Sequence, residues 1–341
     1  MTNLSTALRA IRGWHRPLVV HAILMFTLTL ASGVGLVVDD RLLLGESVWV
    51  KPMKFGFAMG VYGLTLAWLL SKLNRGRRTG WWFGTVFAVA GLLDVGAVAY
   101  AATNGTFSHF NNNNEPVAQT VRTVFSVGVG PLLVVTLVIA ILVLIDRTGD
   151  RAVRRALGAG LGLAAAGMVV ALWLAGSAGS TPRTVTDANG DAVLMTGGHG
   201  IGDPDGNGMF LTHWSTTGGD LRVPHFVGLH AIQVLLLVTA FLGALASRHG
   251  WLRDERVRAR LVGVAALGYT GVFAVVTWQA KRGIPVIRLD RQTLVAATVV
   301  VGSTLVAAVA VVVAARRRAG SPSGGERCDE VSGVGVPRLW S

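Results

Sequence analysis

Asp94 stands in the middle of an apolar run, Gly91-Leu92-Leu93-Asp94-Val95-Gly96. A carboxylate placed there in hydrocarbon costs about 2.5–3.5 kcal/mol on insertion scales, so it must face a bundle interior and a partner. Imidazoles are the matching chemistry. His225 and His230 open a later apolar run, Val223-Pro224-His225-Phe226-Val227-Gly228-Leu229-His230-Ala231-Ile232-Gln233. Gln233 follows His230 at i+3, on nearly the same helical face. His109 lies in a polar connection, Ser108-His109-Phe110-Asn111. Asp94, His109, His225 and His230 are therefore the candidate catalytic groups, as general bases or metal ligands. Lys51, Lys54, Arg222 and Arg282 add cations near the ends of apolar runs, and Trp214 precedes Arg222 in the same loop. With Gln233 they form the candidate binding set for an anionic substrate or headgroup. Lys51 and Lys54 flank Pro52, a helix-start signal. Cations there oppose the helix macrodipole and need an anion to offset them.

His225 and His230, five residues apart, point about 140° from one another, so they cannot share one ion as an i,i+4 pair would. A transition-metal site would draw on His109, His213, His225, His230 and Asp220, with His199 and Asp94 as further donors. Imidazole plus carboxylate suits zinc or iron. Haem is a weaker fit, because bis-histidine ligation needs matched depth on two spans and His21 lies too far from His230. Asp203-Pro204-Asp205-Gly206-Asn207-Gly208 matches the first half of a calcium loop. Position twelve is Trp214 rather than glutamate, so a Gly/Asp turn is the default reading.

These residues must be positioned by eight long apolar stretches, roughly 17–38, 53–73, 80–102, 121–145, 157–178, 225–246, 259–280 and 292–315. Each is long enough to cross about 30 Å of hydrocarbon. The chain is 52% hydrophobic and 14% charged, with a mean hydropathy of +0.55. The expected fold is an all-α, polytopic transmembrane bundle. A net charge of +13 would suggest nucleic acid in a soluble chain. Here the arginines concentrate in short connections, where they set orientation, so the expected partners are membrane lipids and not nucleic acid. Alternate connections carry 21 and ten Lys plus Arg, which places both termini in the cytoplasm. The expected divisions are a cytoplasmic segment 1–16, five spans over 17–178, an extracytoplasmic capping loop 179–224, three spans over 225–315 and a disordered tail 316–341. The first span follows Arg9, Arg12 and Arg16 and reads as a signal anchor rather than a cleaved peptide. Arginine outnumbers lysine 27 to 4, as in GC-rich bacterial coding, so the expected location is a bacterial inner membrane. Span 8, Val/Ala-rich, is expected at the bundle periphery. Cys328 is the one cysteine, so no disulfide is expected.

Four blocks give a resemblance. Trp49-Val50-Lys51-Pro52-Met53-Lys54-Phe55, Ser108-His109-Phe110-Asn111 and Gly219-Asp220-Leu221-Arg222-Val223-Pro224-His225 through Gln233, with Trp278-Gln279-Ala280-Lys281-Arg282-Gly283, resemble an uncharacterised family of bacterial polytopic inner-membrane proteins. The resemblance spans about residues 39–292. It implies a multispan protein whose distinctive residues gather on one face, and it brings no activity. The family pattern would put Glu near Asp94 and Arg-Gly before Ser108; this chain has Asp94 and Asn104-Gly105.

The leading functional expectation is a membrane enzyme with a His/Asp/Lys pocket at the outer leaflet, acting on an anionic or lipid-like substrate. The alternatives are a proton-linked small-molecule transporter and a non-catalytic sensor or structural protein. Against transport stand the absence of an internal repeat and of a span clearly broken by Gly or Pro at mid-membrane.

Overall fold

A computed structural model describes residues 13–177, 182–205 and 207–320. Eight of its helices are long and apolar enough to cross a membrane. They are α1 (Arg16–Val38), α2 (Val50–Ser71), α3 (Arg77–Thr103), α4 (Pro116–Asp146), α5 (Arg151–Ser177), α6 (Arg222–Leu245), α7 (Glu255–Lys281) and α8 (Arg291–Gly320). The protein is an all-α bundle with a few short strands at one end. Successive helices alternate in direction, so one end carries short arginine-rich connections and the other carries the long ones.

Proline and acidic residues punctuate the helices as local chemistry requires. Glu115 precedes Pro116 at the start of α4, and the Asp254 side chain accepts from Arg256 N at the start of α7. Asp146, the last residue of α4, accepts from the N–H groups of Asn74 and Arg75 at 3.1 and 2.8 Å. This ties the α2–α3 connection to the end of α4 and satisfies donors that would otherwise be orphaned.

Hydrocarbon gives no hydrophobic drive between helices, so small residues that allow close approach set the neighbours. On α2, Gly56, Gly60 and Gly63 form a stripe against α1. A Cβ at these positions would stand 2.8 Å from Met25 O, 2.9 Å from the Phe26 ring and 2.8 Å from the His21 ring. Gly167 of α5 and Gly228 of α6 cross almost backbone to backbone, a Cβ on Gly228 falling 2.6 Å from the Gly167 Cα. These contacts pair α1 with α2 and α5 with α6. α3 packs on α4, and α7 lies against α5 and α6. The main core joins the two halves where Leu157 and Leu161 of α5 and Ile232 of α6 meet Leu66, Leu69, Ile139 and Val143. α8 touches α7 and has none of its apolar window buried, as expected of a peripheral span. It continues through Arg316–Arg318 to Gly320. The rest of the predicted tail, and residues 1–12, lie outside the described residues.

The capping loop is a set of hairpins. Strands β3 (Arg183–Thr186) and β4 (Ala192–Met195) pair antiparallel, Arg183 opposite Met195. Strands β5 (Gly200–Ile201) and β6 (Gly219–Asp220) pair with Gly200 opposite Asp220. Between α1 and α2, strands β1 (Leu42–Leu43) and β2 (Glu46–Ser47) form a further hairpin. Its turn residues Leu44 and Gly45 both have positive φ, the conformation that two-residue hairpins favour. The cap is fastened to the bundle by a bridge between Asn111 and Met195. Asn189 Nδ2 donates to Asn104 O at 2.9 Å, and Ala188 N to Gly105 O at 3.0 Å. Asp205, the third residue of the calcium-like run, is taken by an ion pair with Arg183.

Candidate functional site

The Lys51–Lys54 pair sits on the first turn of α2, directly beneath the cap. The turn is held from outside. Asp39 at the end of α1 accepts from Trp49 Nε1 at 2.7 Å and from Arg41 Nη2 at 2.8 Å. The Arg41 guanidinium and the Trp49 indole keep the Asp39 carboxyl well below the usual carboxylate range. Gly35 of α1 lies under the Trp49 ring, where a Cβ would come within 2.5 Å. This hairpin fixes the entry of α2 and so the direction of both lysines.

Their surroundings differ. Lys54 Nζ donates to Glu46 Oε1 at 2.7 Å and to Thr212 O at 2.9 Å. Glu46 is thus the anion that offsets the unfavourable macrodipole. Lys51 makes no hydrogen bond or ion pair among the described residues, although it is half-buried. The charges acting on its ammonium are Glu46, Arg222 and Lys54. Arg222 is itself held in a two-point pair by Asp220, with Nε to Oδ1 at 3.0 Å and Nη2 to Oδ2 at 2.7 Å. Asp220 is buried at 1% exposure and accepts also from Ser215 N at 2.8 Å.

Two imidazoles close the site. His109, in the α3–α4 connection, packs between Phe55 of α2 and Phe125 of α4, with ring centroids 6.0 and 4.4 Å away. Ser108 Oγ lies 3.1 Å from His109 Nδ1. His199, at the base of the cap, lies 6.3 Å from His109 and 5.0 Å from Phe110. His199 Nδ1 is buried without a hydrogen-bond partner. Burial depresses the basicity of both rings well below the ordinary 6.5, and Lys51 adds to this by repulsion. For His199 the Arg222 charge is the larger electrostatic contribution. Both are therefore neutral imidazoles at pH 7, able to accept protons. Three cations (Lys51, Lys54, Arg222) stand against two carboxylates (Glu46, Asp220), leaving one excess positive charge among partly buried groups.

The other predicted residues are placed elsewhere. Asp94 faces α4, its Oδ1 3.6 Å from where a Gly128 Cβ would lie. That oxygen is buried and unpartnered. His225 Nδ1 lies 2.8 Å from Gly167 O, on the α5 side. His230 stacks obliquely on Phe226 at 4.3 Å, and Phe226 meets Trp214 edge-on at 5.8 Å. Gln233 Nε2 reaches Thr65 Oγ1 of α2 at 3.4 Å. No hydrogen bond or ring contact joins Asp94 to His230 among the described residues. α3 lies beside α4, while α6 lies beside α5. Arg282 is occupied by an ion pair with Asp290 and by the Trp278 ring at 4.2 Å. His213, Asp220, His109, His225 and His230 are not assembled around one point. Among the described residues no group of three His, Cys, Asp or Glu side chains could hold a metal ion.

Sequence reasoning singled out Lys51, Lys54, Arg222 and His109 and omitted Glu46 and three aromatics, Phe55, Phe110 and Phe125, while His199 entered only as a spare metal donor. Glu46 had a local signal, since it is the acid nearest in sequence to the two unfavourable lysines. His199 had none, because only the hairpin register brings it over His109. No family model, no curated protein and no solved structure matches the chain.

Proposed function

We propose that this integral membrane protein is an enzyme that binds an anionic, lipid-like substrate beneath the cap, at the outer leaflet of a bacterial inner membrane. Lys51 is the observation that carries the reading. A half-buried ammonium without an anion is costly to keep dehydrated. An anionic group entering between Lys51 and Arg222 supplies the missing counter-charge. The adjacent neutral His109 and His199 then serve as proton acceptors, and Lys51 as a fixed charge against a developing anion. The orientation rests on the excess of basic residues at the end opposite the cap, with both termini on that cytoplasmic side. The sequence blocks that resemble an uncharacterised bacterial family, Lys51, Lys54, His109 and Arg222 among them, support the same face.

The test uses octyl phosphate as probe. Diethyl pyrocarbonate labels neutral imidazoles, and peptide mass spectrometry reads His109 and His199 separately. Octyl phosphate should slow labelling of both at least fivefold in the wild type and not in Lys51→Gln. Equal labelling with and without the probe in the wild type contradicts the reading.

A second reading, proton-linked transport, is favoured by Asp94. Its unpartnered oxygen faces Gly128, three residues before Pro131, a proline inside α4. Proline there removes a backbone bond at membrane depth. The helix stays continuous through that proline, from Pro116 to Asp146. Proton-driven uptake of octyl phosphate into liposomes, lost in Asp94→Asn, would support it; uptake unchanged in that variant would end it.

A further inference from the structure

At the end opposite the cap, Arg151, Arg154 and Arg155 of α5 and Arg256 and Arg260 of α7 line one cleft. Orientation by charge explains why arginines occur at this end, but not why two connections a hundred residues apart turn them into the same concavity. Among the described residues Glu255 is the acid that meets them, accepting from Arg151 N at 2.5 Å and lying 4.0 Å from Arg151 Nε. Two guanidiniums are anchored by the fold itself. Arg155 Nη1 donates to Ala259 O at 2.7 Å and Arg154 Nη1 to Gly149 O at 3.0 Å. Arg155 crosses α7 over Gly263, where a Cβ would stand 3.1 Å from Nη1. The side chains of Arg256 and Arg260 make no hydrogen bond or ion pair among the described residues. The helix starts themselves are capped by Asp150 and Asp254, so recognition falls to the guanidinium groups.

Depth identifies the occupant. Arg155 and Arg260 stand four and five residues inside their helices, about 6 and 7.5 Å from the ends. That is the headgroup level of a bilayer. Trp251, an aromatic of the interfacial type, lies close by with Arg316 over its ring at 5.5 Å. Guanidinium forks match phosphate oxygens two at a time. We propose that this cleft holds the phosphodiester headgroup of an anionic phospholipid of the cytoplasmic leaflet, between α5 and α7.

The test is native mass spectrometry of the full chain carrying Lys51→Gln, so that the cap-side recess does not contribute, titrated with phosphatidylglycerol or phosphatidylcholine. Arg256→Gln/Arg260→Gln removes the two uncommitted guanidiniums without breaking an observed bond. Arg75→Gln/Arg78→Gln removes the same charge from the same end outside the cleft. Phosphatidylglycerol affinity should fall about tenfold or more in the cleft variant and stay within twofold in the control. Equal loss in both variants, or none in either, overturns the proposal. Full competition by inorganic phosphate at equal concentration would also overturn it, by assigning the cleft to a soluble anion.

Discussion

The Lys54 ammonium meets the Glu46 carboxylate at 2.7 Å across the α1–α2 hairpin, and Lys51, three residues earlier, has no hydrogen-bonded or ion-paired anion among the described residues. Two lysines of similar sequence context thus have different roles. One ties the α1–α2 hairpin to the cap through Glu46 and Thr212. The other makes no such tie among the described residues.

That difference predicts opposite effects on stability. Lys54→Met strands Glu46 and the Thr212 carbonyl, and should lower unfolding stability by about 1–3 kcal/mol. Lys51→Met removes an uncompensated charge and should leave stability unchanged or raise it. Thermal unfolding of the purified protein in detergent checks both; a larger loss in Lys51→Met would make Lys51 a structural residue.

The histidines set a pH dependence. His109 and His199 have lowered folded-state values against an unfolded value near 6.5. The unfolded chain therefore binds more protons as pH falls through 6.5, and stability is lost in the acid direction. Above that pH neither ring contributes to the trend. Amide protection factors over 183–201, corrected for the intrinsic pH dependence of exchange, should fall between pH 6.5 and 5, and His199→Gln should flatten the change. A protection factor that falls on going alkaline instead would contradict the assignment.

The glycine crossing is equally specific. Gly228→Leu should separate α5 from α6 and cost about 1–3 kcal/mol or more, as overpacking does. Gly96→Leu, on an exposed face with nothing within 4 Å, should be tolerated. Melting temperatures of the two variants, compared in one detergent, decide the matter.

What could be read from the sequence follows from what sequence periodicity encodes. Apolar length gave the eight spans to within a few residues, since hydrocarbon thickness leaves little freedom. The oddness of Lys51 and Lys54 was visible because it violates helix electrostatics. The neighbours of each helix were not visible. They depend on which glycines meet, as at Gly167 and Gly228, and glycines are too frequent in this chain for one pair to stand out. Asp94 and His230 face different partners for that reason. His199 reaches His109 only through the Gly200–Asp220 register, a feature of two short strands without periodic signal.

The hairpin beneath the cap gives a final check on placement. Asp39→Asn weakens the ties to Trp49 and Arg41, and should loosen the α2 start while leaving the remaining spans intact. Octyl phosphate protection of His109 should fall severalfold in that variant, while Lys54 stays resistant to acylation through its bond to Glu46.

The most direct measurement is a cryo-electron microscopy map of the protein in nanodiscs with octyl phosphate. Phosphate density should lie within hydrogen-bond reach of the Lys51 ammonium, between Arg222 and the two imidazoles. An empty recess at saturating octyl phosphate, with the Lys51 side chain turned out to solvent, would contradict the account.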